Sequence, residues 1–466
     1  MNKNNKLLKN TIIYAIGNFG TKVLNFLIVP LYTYYISTED MGTYDLIIVI
    51  ITFLLPIVMF QLSDGVYRWL FDADDSKIII KSASIQILVN CILCALIGTI
   101  ISYIFSIENG AIIIGVLITE TIYSFLIQIL RGLRHNKFYA IIGVIHTAVF
   151  LCFNVLEVVV WKNGILGLLI SHIIAYTLSS LIILIKEKII CDSLFHSTFD
   201  RNRLLDMVKY SIPLIPNVVC WSVINLSDRF IIVSFLGRSL NGIYSIAYKF
   251  PAIIQLFTHF FYLAWQESAI EEYGSKDRDK YYTNIFNLYY RFLFPAVAVL
   301  LPATYVYTNF LMNTDYKSSW IYTGFLYLGT AFSALSGFVG TGYQSSKESK
   351  GAFYTTIIGA ATNVIINLMC VSVIGLQAAA FSTFIAYLVL FIVRIKGTRK
   401  YFSLNVNWGH FILLTIYALV FTVIFICNIP SAVRLAMAIL SVVVFFYCNK
   451  SLVLNILHVF RRKIGG

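Results

Sequence analysis

The chain is built from long, uninterrupted runs of apolar residues, and each run has about the length needed to cross a lipid bilayer. A membrane-spanning helix requires roughly 20 consecutive, mostly apolar residues. Fourteen such runs lie near residues 11–36, 42–62, 85–107, 111–130, 139–161, 165–185, 210–236, 243–265, 285–309, 320–342, 353–374, 377–395, 409–429 and 432–448. Since the runs are continuous and do not alternate in short segments, they argue against a membrane β-barrel. We therefore predict an all-α integral membrane protein with about 14 transmembrane helices.

The charge content excludes other classes of protein. Only 12% of the 466 residues are charged, whereas 59% are hydrophobic. An ordinary soluble domain carries about 25% charged residues, so this chain cannot cover a water-exposed surface of its size. Disordered segments are poor in apolar residues, which excludes disorder. The apolar content also argues against a soluble nucleic-acid-binding protein as the meaning of the net charge of +13.

Lysine and arginine are distributed unevenly between the connectors on the two sides of the membrane. Counted over alternate connectors, one side has 27 of these residues and the other side has four. Cytoplasmic connectors carry the excess of basic residues in membrane proteins, so we expect both termini in the cytoplasm. The split also favours an even number of helices, because one missed helix would invert the alternation downstream.

Two segments of the chain repeat the same pattern of small residues. The pattern G-x-x-[GA]-x-x-x-S-x-x-x-A-Y occurs at Gly164–Tyr176 and again, 211 residues later, at Gly375–Tyr387. A shorter match, with a spacing of 200 residues, relates Gly42–Tyr44 to Gly242–Tyr244. The two matches occur in the same order along the chain, which indicates two related halves.

These halves predict a division of the chain into three parts. Residues 1–198 form an N-terminal bundle of six helices with a cytoplasmic linker, and residues 199–400 form a second bundle of six. Residues 401–466 add two further helices and a basic cytoplasmic tail. Because each half has an even number of helices, both enter the membrane in the same sense. Two such parallel-related bundles around a central cleft are typical of transporters.

Several short motifs, spread over nearly the whole chain, resemble those of a known family. They are Leu7-Leu8-Lys9-Asn10-Thr11, Gly17-Asn18-Phe19-Gly20 with Lys22, Gly42-Thr43-Tyr44, Asp228-Arg229-Phe230-Ile231-Ile232, Gly242-Ile243-Tyr244 with Tyr248-Lys249, and the two copies of the glycine–serine pattern. None of them is a catalytic signature. Together they resemble the Wzx-type flippases of polysaccharide repeat units (O-antigen, capsule or exopolysaccharide). That family belongs to the MOP superfamily, with the MATE antiporters and the lipid II flippases.

The resemblance implies a multi-pass flippase of the bacterial cytoplasmic membrane. Its substrate would be an undecaprenyl-pyrophosphate-linked oligosaccharide, moved by alternating access for surface polysaccharide biosynthesis. The pyrophosphate and sugars would lie in the cleft, and the lipid tail would lie outside among the membrane lipids. Two alternatives stay open: a MATE-like, cation-coupled antiporter of small molecules, and a flippase of lipid II or of a teichoic-acid precursor. Coupling to H⁺ or Na⁺ and a partnership with the polysaccharide polymerase machinery are open as well.

Four basic residues lie within apolar runs: Lys22, Arg229, Lys249 and Arg291. A charge at the bilayer centre costs on the order of 3 kcal/mol on insertion scales, so such a residue usually faces a partner or a watery cavity. Together they predict a cationic, substrate-binding cleft for an anionic pyrophosphate, because charge-assisted hydrogen bonds to phosphate are strong. Lys22 is too deep to reach a headgroup, whereas Lys249 and Arg291 could do so by snorkelling. Arg229 could instead pair with Asp228 or cap its helix.

Three acidic residues also lie within the apolar runs: Glu120, Glu157 and Asp228. A carboxylate inside the membrane can bind Na⁺ or carry a proton, and so couple transport to a cation gradient. The competing interpretation is a salt bridge, for example between Glu120 and Lys22. Ion coupling and structural pairing are therefore both open for these carboxylates.

Asp64 and Arg68 stand four residues apart at the cytoplasmic end of the second predicted helix. Residues at this spacing face each other on a helix, so we expect an ion pair, and the pair could gate the inner face of the protein.

The sequence contains no recognisable catalytic constellation. No Ser/His/Asp set, P-loop or metal-binding motif occurs, and the connectors are too short for a soluble catalytic domain. We therefore predict that the protein is not an enzyme and uses no metal or other cofactor. His146, His172 and His259 lie isolated on separate predicted helices without metal-ligand spacing, so we expect hydrogen-bonded polar residues. Pro251 falls inside the predicted helix 243–265 and should bend it.

Overall fold

The computed structural model describes residue 26 and residues 28–71, 75–346 and 349–450, without the side chains of Phe71, Asn217, Asn225, Glu267 and Ser349. Within these ranges the regular secondary structure is helical throughout, which confirms the predicted all-α class. By residue contacts the chain divides into two compact units, residues 1–230 and 231–466. The predicted three-part division at residues 198 and 400 stays a prediction.

The first unit contains nine complete helices among the described residues. They are α1 (Val29–Tyr35), α2 (Thr38–Val58), α3 (Leu62–Phe71), α4 (Ser76–Ile104), α5 (Gly110–Gly132), α6 (Asn136–Asn154), α7 (Gly164–Lys186), α8 (Lys188–His196) and α9 (Arg201–Ser211). A π-helical turn, Val155–Val160, extends α6. Helix α10 (Ile215–Leu236) contains the boundary between the units.

The second unit contains the remaining helices of the described residues. They are α11 (Arg238–Lys249), α12 (Ala252–Glu271), α13 (Arg278–Leu311), α14 (Trp320–Ser345), α15 (Ser349–Ile374), α16 (Gln377–Thr398), α17 (Trp408–Ile426) and α18 (Ser431–Cys448).

Twelve helical segments of the described residues are long and apolar enough to cross a membrane. They coincide with twelve of the fourteen predicted spans. Of the other two, the predicted span 11–36 lies largely outside the described residues. The predicted span 243–265 is wrong as a single helix, since the structure divides it into α11 and α12.

The division between α11 and α12 falls at Phe250 and Pro251. Proline has no backbone N–H, and its ring clashes with the carbonyl of the residue four positions earlier. Accordingly the N–H of Phe250 turns to the carbonyl of Ala247, at 3.3 Å, in a tighter turn. The sequence therefore predicted a distortion at the right residue but underestimated it.

The helices of the first unit begin and pack in ways that their sequences explain. The Ser37 hydroxyl accepts a hydrogen bond from the N–H of Asp40 at the start of α2, and acidic residues follow in the first turn. Both features stabilise the free N–H groups of a helix start. Helices α3, α4, α5 and α9 then enclose a core in which Leu62, Ile80 and Met207 are fully buried.

The segment that follows α7 is fastened to α4. Lys77 donates a hydrogen bond to Asp192 of α8, and Lys81 donates one to the carbonyl of Leu194. The N–H of Asp200 donates to the Ser82 hydroxyl at 2.9 Å. The Lys77 ammonium holds the pKa of the Asp192 carboxyl below its ordinary value. This segment is therefore an ordered part of the first unit.

The core of the second unit is a set of closely packed helices around α14. At Gly329 the backbone of α16 approaches so closely that an added Cβ would lie 3.3 Å from the Cα of Phe384. Aromatic rings fill the rest, as where Trp265 stacks on Phe338 with 4.0 Å between the ring centroids. Such packing is typical of membrane helices, in which small residues let neighbouring backbones approach.

Candidate functional site

A stack of five aromatic side chains joins four helices of the first unit. The ring stack consists of Tyr44 on α2, Tyr123 on α5, His146 on α6, and His172 and Tyr176 on α7. His146 lies between two tyrosines, with 4.8 Å from its ring centroid to that of Tyr123 and 4.8 Å to that of Tyr176. A hydrogen bond of 2.7 Å joins the Tyr44 hydroxyl to His172 Nε2.

Glu120 adds a carboxyl group to the ring stack. The Tyr176 hydroxyl donates a hydrogen bond to it. Glu120 precedes Tyr123 by three residues on α5, so the two side chains lie on the same face of that helix. The structure thus gives Glu120 a neutral partner in Tyr176, while its predicted partner Lys22 lies outside the described residues.

The prediction of hydrogen-bonded polar residues is confirmed for His172, whose Nε2 atom pairs with the Tyr44 hydroxyl, but the sequence did not indicate that His146 and His172 share a neighbour. Both imidazoles stack on the same ring, that of Tyr176. The Nε2 atom of His146 is buried and makes no hydrogen bond to any other described residue. The spacing of His172 and Tyr176, four residues apart at the end of the repeated small-residue pattern, was a signal that both side chains share one face of α7.

Arg229 is held by an ion pair with a residue that the sequence did not single out. Its side chain is 3% exposed, and its Nε atom lies 3.1 Å from Oδ2 of Asp45. Asp45 is on α2 and follows Tyr44 of the ring stack. This pairing offsets part of the cost of burying the arginine. The adjacent acid, Asp228, is also fully buried.

Two further predicted acids of the first unit, Glu157 and Asp64, accept hydrogen bonds from residues close to them in the sequence. Glu157 is buried in the π-helical turn, and its carboxylate accepts a hydrogen bond of 2.7 Å from the Asn163 amide. Asp64 on α3 accepts one of 3.0 Å from the Gln61 amide. Arg68 is exposed on the same helix. The ion pair of Asp64 with Arg68, and its role as an inner gate, stay predictions.

The predicted cationic residues of the second unit lie on two different helices. Lys249 is half-buried and ends α11, directly before the break at Pro251. Arg291 lies on α13, close enough to His410 and Cys448 for electrostatic interaction. Its Nε atom is buried and has no hydrogen-bond partner among the described residues. Arg291 therefore points toward the last two helices of the chain.

Beside the break at Pro251 lies a small polar cavity of about 20 Å³. It has room for about one water-sized group. Uncharged polar side chains form most of its lining, and these are Tyr248, Gln255, Thr330, Ser333, Thr383 and Tyr387. The second copy of the repeated pattern thus contributes Tyr387 to this cavity, as the first copy contributes Tyr176 to the ring stack.

A larger cavity of about 170 Å³ lies between α12, α13 and α18, and its lining is entirely apolar. The lining side chains are those of Ile253, Ile254, Phe257, Phe292, Ala296, Val299, Leu300 and Phe445. We refer to it as the apolar groove. Among the described residues, no group of three or more His, Cys, Asp or Glu side chains could hold a metal ion.

Comparison with known sequences gives one family. The sequence profile of the family described as "Polysaccharide biosynthesis protein" matches residues 7–265. A search of curated proteins finds no match.

Comparison with solved structures gives a group of membrane transporters. "Lipid II flippase MurJ, inward closed conformation" superposes with a TM-score of 0.70 at 15% identity, and the match covers 98% of this chain and 100% of that chain. An inward-facing multidrug resistance MATE transporter of the MOP superfamily has a TM-score of 0.67 at 13% identity, with coverage of 81% and 95%. An outward-facing one has a TM-score of 0.55 at 13% identity, with coverage of 87% and 95%. The predicted MATE-like membrane fold is therefore confirmed.

Proposed function

Because the chain belongs to the polysaccharide biosynthesis protein family, we propose that it is a Wzx-type flippase of undecaprenyl-pyrophosphate-linked oligosaccharide repeat units. One combined observation carries the proposal. The sequence belongs to a polysaccharide biosynthesis family, and the structure superposes on the full length of a lipid II flippase. A protein with both properties is expected to move a lipid-linked saccharide across the bacterial cytoplasmic membrane. Both termini would lie in the cytoplasm, as the distribution of lysine and arginine indicates.

The polar end of such a substrate carries the negative charges of its pyrophosphate. Lys22, Lys249 and Arg291 are the cations that we assign to this group, because ionised hydrogen bonds to phosphate oxygens are the strong ones. Arg229 contributes less in this proposal, since its charge is paired with Asp45 at 3.1 Å. Alternating access would then present the bound pyrophosphate to one side of the membrane at a time.

The apolar end of the substrate needs a surface of a different kind. The apolar groove between α12, α13 and α18 is lined only by aliphatic and phenyl side chains. An isoprenoid tail gains about 25 cal/mol for each Å² of apolar surface that it removes from water, but inside a bilayer this gain is absent. The groove would therefore hold the tail through close van der Waals packing, as between membrane helices. We assign it to the first isoprene units of the tail.

We assign the coupling of transport to a cation gradient to a residue of the first unit. Glu120 is a half-buried carboxyl group that shares a hydrogen bond with Tyr176, and the ring of Tyr176 stacks on the imidazole of His146. Ionisable groups inside a membrane commonly mark proton or ion pathways. We propose that Glu120 takes up the coupling cation, H⁺ or Na⁺.

A second candidate function is cation-coupled export of small molecules, since the chain also has the fold of MATE transporters. The ring stack around Glu120 would serve such an antiporter equally well. The family match favours polysaccharide precursors over drugs, but a lipid II or teichoic-acid precursor would present the same pyrophosphate chemistry. The substrate is therefore the point that an experiment must decide.

Complementation tests the proposal in cells. A strain that lacks its own repeat-unit flippase makes no surface polysaccharide, and we expect this chain to restore it. Lys22→Ala should fail to restore it at equal expression, whereas Lys396→Ala, which alters an exposed lysine of α16, should succeed. Restoration of drug resistance without polysaccharide would support the antiporter instead. Rescue of a strain depleted of its lipid II flippase would support the peptidoglycan precursor.

A further inference from the structure

Helix α12 carries a continuous polar stripe. Its members are Gln255, His259, Tyr262 and Gln266, at relative positions 0, 4, 7 and 11. At 3.6 residues per turn these positions fall within an arc of about 60°. Gln255 and His259 are exposed, and Tyr262 and Gln266 are half-exposed. Polar side chains of membrane proteins usually face the bundle interior or a water-filled cavity, so we interpret the stripe as a water-facing side of the second unit.

The opposite face of α12 is apolar. Ile253 and Phe257, which are two residues from Gln255 on either side, line the apolar groove. The helix thus separates two environments, one suited to hydrocarbon and one suited to hydrogen-bonding groups. A helix that faced lipid all round would show no such asymmetry.

Helix α14 extends the polar stripe through direct hydrogen bonds. The amide of Gln344 donates to the Tyr262 hydroxyl at 3.1 Å, and the amide of Gln266 donates to Gln344 Oε1 at 3.0 Å. Gly337, on the same face of α14, has no side chain, and a Cβ there would lie 3.7 Å from the Tyr262 ring. The glycine therefore lets the backbone of α14 pack close to the tyrosine ring.

The polar cavity beside Pro251 forms one end of this surface, because Gln255 belongs to both. Thr330 and Ser333 of α14 face Gln255 across the cavity. We call the combined surface of Gln255, Tyr262, Gln266, Thr330, Ser333 and Gln344 the polar wall. The Gln255 side chain is exposed and lines the cavity, so its carboxamide can reach a ligand there.

The chemistry of the polar wall fits an uncharged sugar. Each amide offers donors and an acceptor, and each hydroxyl offers both, which matches the vicinal hydroxyl groups of a sugar ring. The tyrosine ring is a flat apolar surface with a polar tip, which suits the C–H face of the same ring. None of the six side chains carries a charge, so the wall gives a phosphate no ionic partner. The cavity holds about one hydroxyl-sized group, at about 20 Å³.

From this arrangement we infer that the polar wall is a sugar-binding subsite, separate from the groups that hold the pyrophosphate and the lipid tail. The inference rests on the proposed function and adds the residues that would recognise the sugar of the substrate. Amides and hydroxyls recognise a sugar by the placement of its hydroxyl groups, since a buried polar group that is left unpaired weakens binding. Gln255 would then determine specificity at the cavity.

Binding of two matched ligands to the purified full chain tests this inference. The probes are the undecaprenyl-pyrophosphate-linked oligosaccharide extracted from the host and undecaprenyl pyrophosphate without sugar. We expect Gln255→Ala and Gln266→Ala each to weaken binding of the glycolipid about tenfold, the effect of losing one or two hydrogen bonds. Binding of the sugar-free lipid should be unchanged. Size-exclusion chromatography of each variant confirms that it is folded.

Two control variants separate the outcomes. Phe257→Ala, in the apolar groove, should weaken both ligands alike, and Gln86→Ala, which alters a half-buried glutamine of α4 in the first unit, should weaken neither. Equal effects of Gln255→Ala and Gln266→Ala on both ligands, or no effect on either, would overturn the sugar subsite and leave the proposed function standing. Wild-type protein that binds neither lipid would contradict the proposed function itself.

Discussion

Gly164 and Gly375 have the same left-handed backbone conformation, with φ of +52° and +56°, at the positions that open the two copies of the repeated pattern. The likeness continues along the helices that follow. The corresponding serines, Ser171 and Ser382, each turn back to a carbonyl of their own helix, four residues earlier at Gly167 (2.7 Å) and three residues earlier at Ala379 (3.0 Å). The repeat seen in the sequence is therefore a repeat of local structure.

Replacement of either glycine should destabilise the protein by a similar amount. Nothing lies within 4 Å of an added Cβ at Gly164 or at Gly375, so Gly164→Ala and Gly375→Ala introduce backbone strain alone. A left-handed conformation costs an L-residue roughly 1–2 kcal/mol. We expect each variant to lower the midpoint of thermal unfolding in detergent.

Gly143→Ala is the matched control for these two variants. Gly143 also has open space around an added Cβ, but it lies inside α6 with ordinary helical geometry. Alanine is favoured over glycine there by about 0.5–1 kcal/mol. The midpoint should stay or rise, and an equal fall in all three variants would remove the argument from strain.

Replacing one partner of the Arg229–Asp45 ion pair should lower the stability of the protein more than replacing both would suggest. Arg229 is 3% exposed, and removal of one partner of a buried pair typically costs about 3–5 kcal/mol, because the other charge is left uncompensated. Arg229→Met and Asp45→Asn should each lower thermal stability strongly. The double variant should lose less than the sum of the two. Strict additivity would show that the pair contributes no coupling energy.

Glu120 and Tyr176 give a test of cation coupling. Glu120→Gln can still accept the hydrogen bond from Tyr176, so the fold should hold, but its side chain can no longer ionise. In proteoliposomes we expect wild-type flipping to respond to a pH or sodium gradient, and the Glu120→Gln variant to flip at one rate with or without either gradient. A gradient response that survives in the variant would assign coupling to another group.

Arg394 should be sensitive even to lysine. It lies on α16 with 6% exposure, and its guanidinium donates to Thr355, Thr356 and Ser336, at 3.1–3.3 Å. A lysine ammonium cannot reproduce this planar fork. Arg394→Lys should therefore cost about 2 kcal/mol, measured as a lower unfolding midpoint. Lys396→Arg, the opposite exchange at an exposed position two residues later, should leave the unfolding midpoint unchanged. A similar fall in the midpoint there would show that the helix end, and not the planar guanidinium of Arg394, is the cause.

The membrane class and most of the helices could be predicted from the sequence, because the length of an apolar run is a local property. The exceptions arise where the backbone departs from a regular helix. Phe60 and Gln61 have φ of +52° and +49°, and they separate α2 from α3, although neither residue is a glycine. The predicted helix 42–62 runs through both of them, because both lie within a continuous apolar run that shows no sign of the turn.

The candidate site was less predictable, because its contacts join distant parts of the chain. Arg229 and Asp45 are 184 residues apart, and the adjacent Asp228 drew attention in the sequence. His146 and His172 lie on different helices, and both stack on Tyr176. Arg394 is buried inside α16, although no short sequence motif marks it. Local pattern indicates which residues are unusual at membrane depth, but it does not indicate their partners.

Flipping of a defined substrate by the purified protein tests the central claim most directly. The undecaprenyl-pyrophosphate-linked oligosaccharide of the host is placed in proteoliposomes, and a membrane-impermeant glycosidase measures how much of it reaches the outer leaflet. We predict that wild-type protein makes the protected half of the glycolipid accessible over minutes, whereas Lys22→Ala vesicles resemble protein-free ones. Wild-type vesicles that leave the glycolipid as protected as protein-free vesicles do, at a pH or sodium gradient of either direction, would contradict the proposed function.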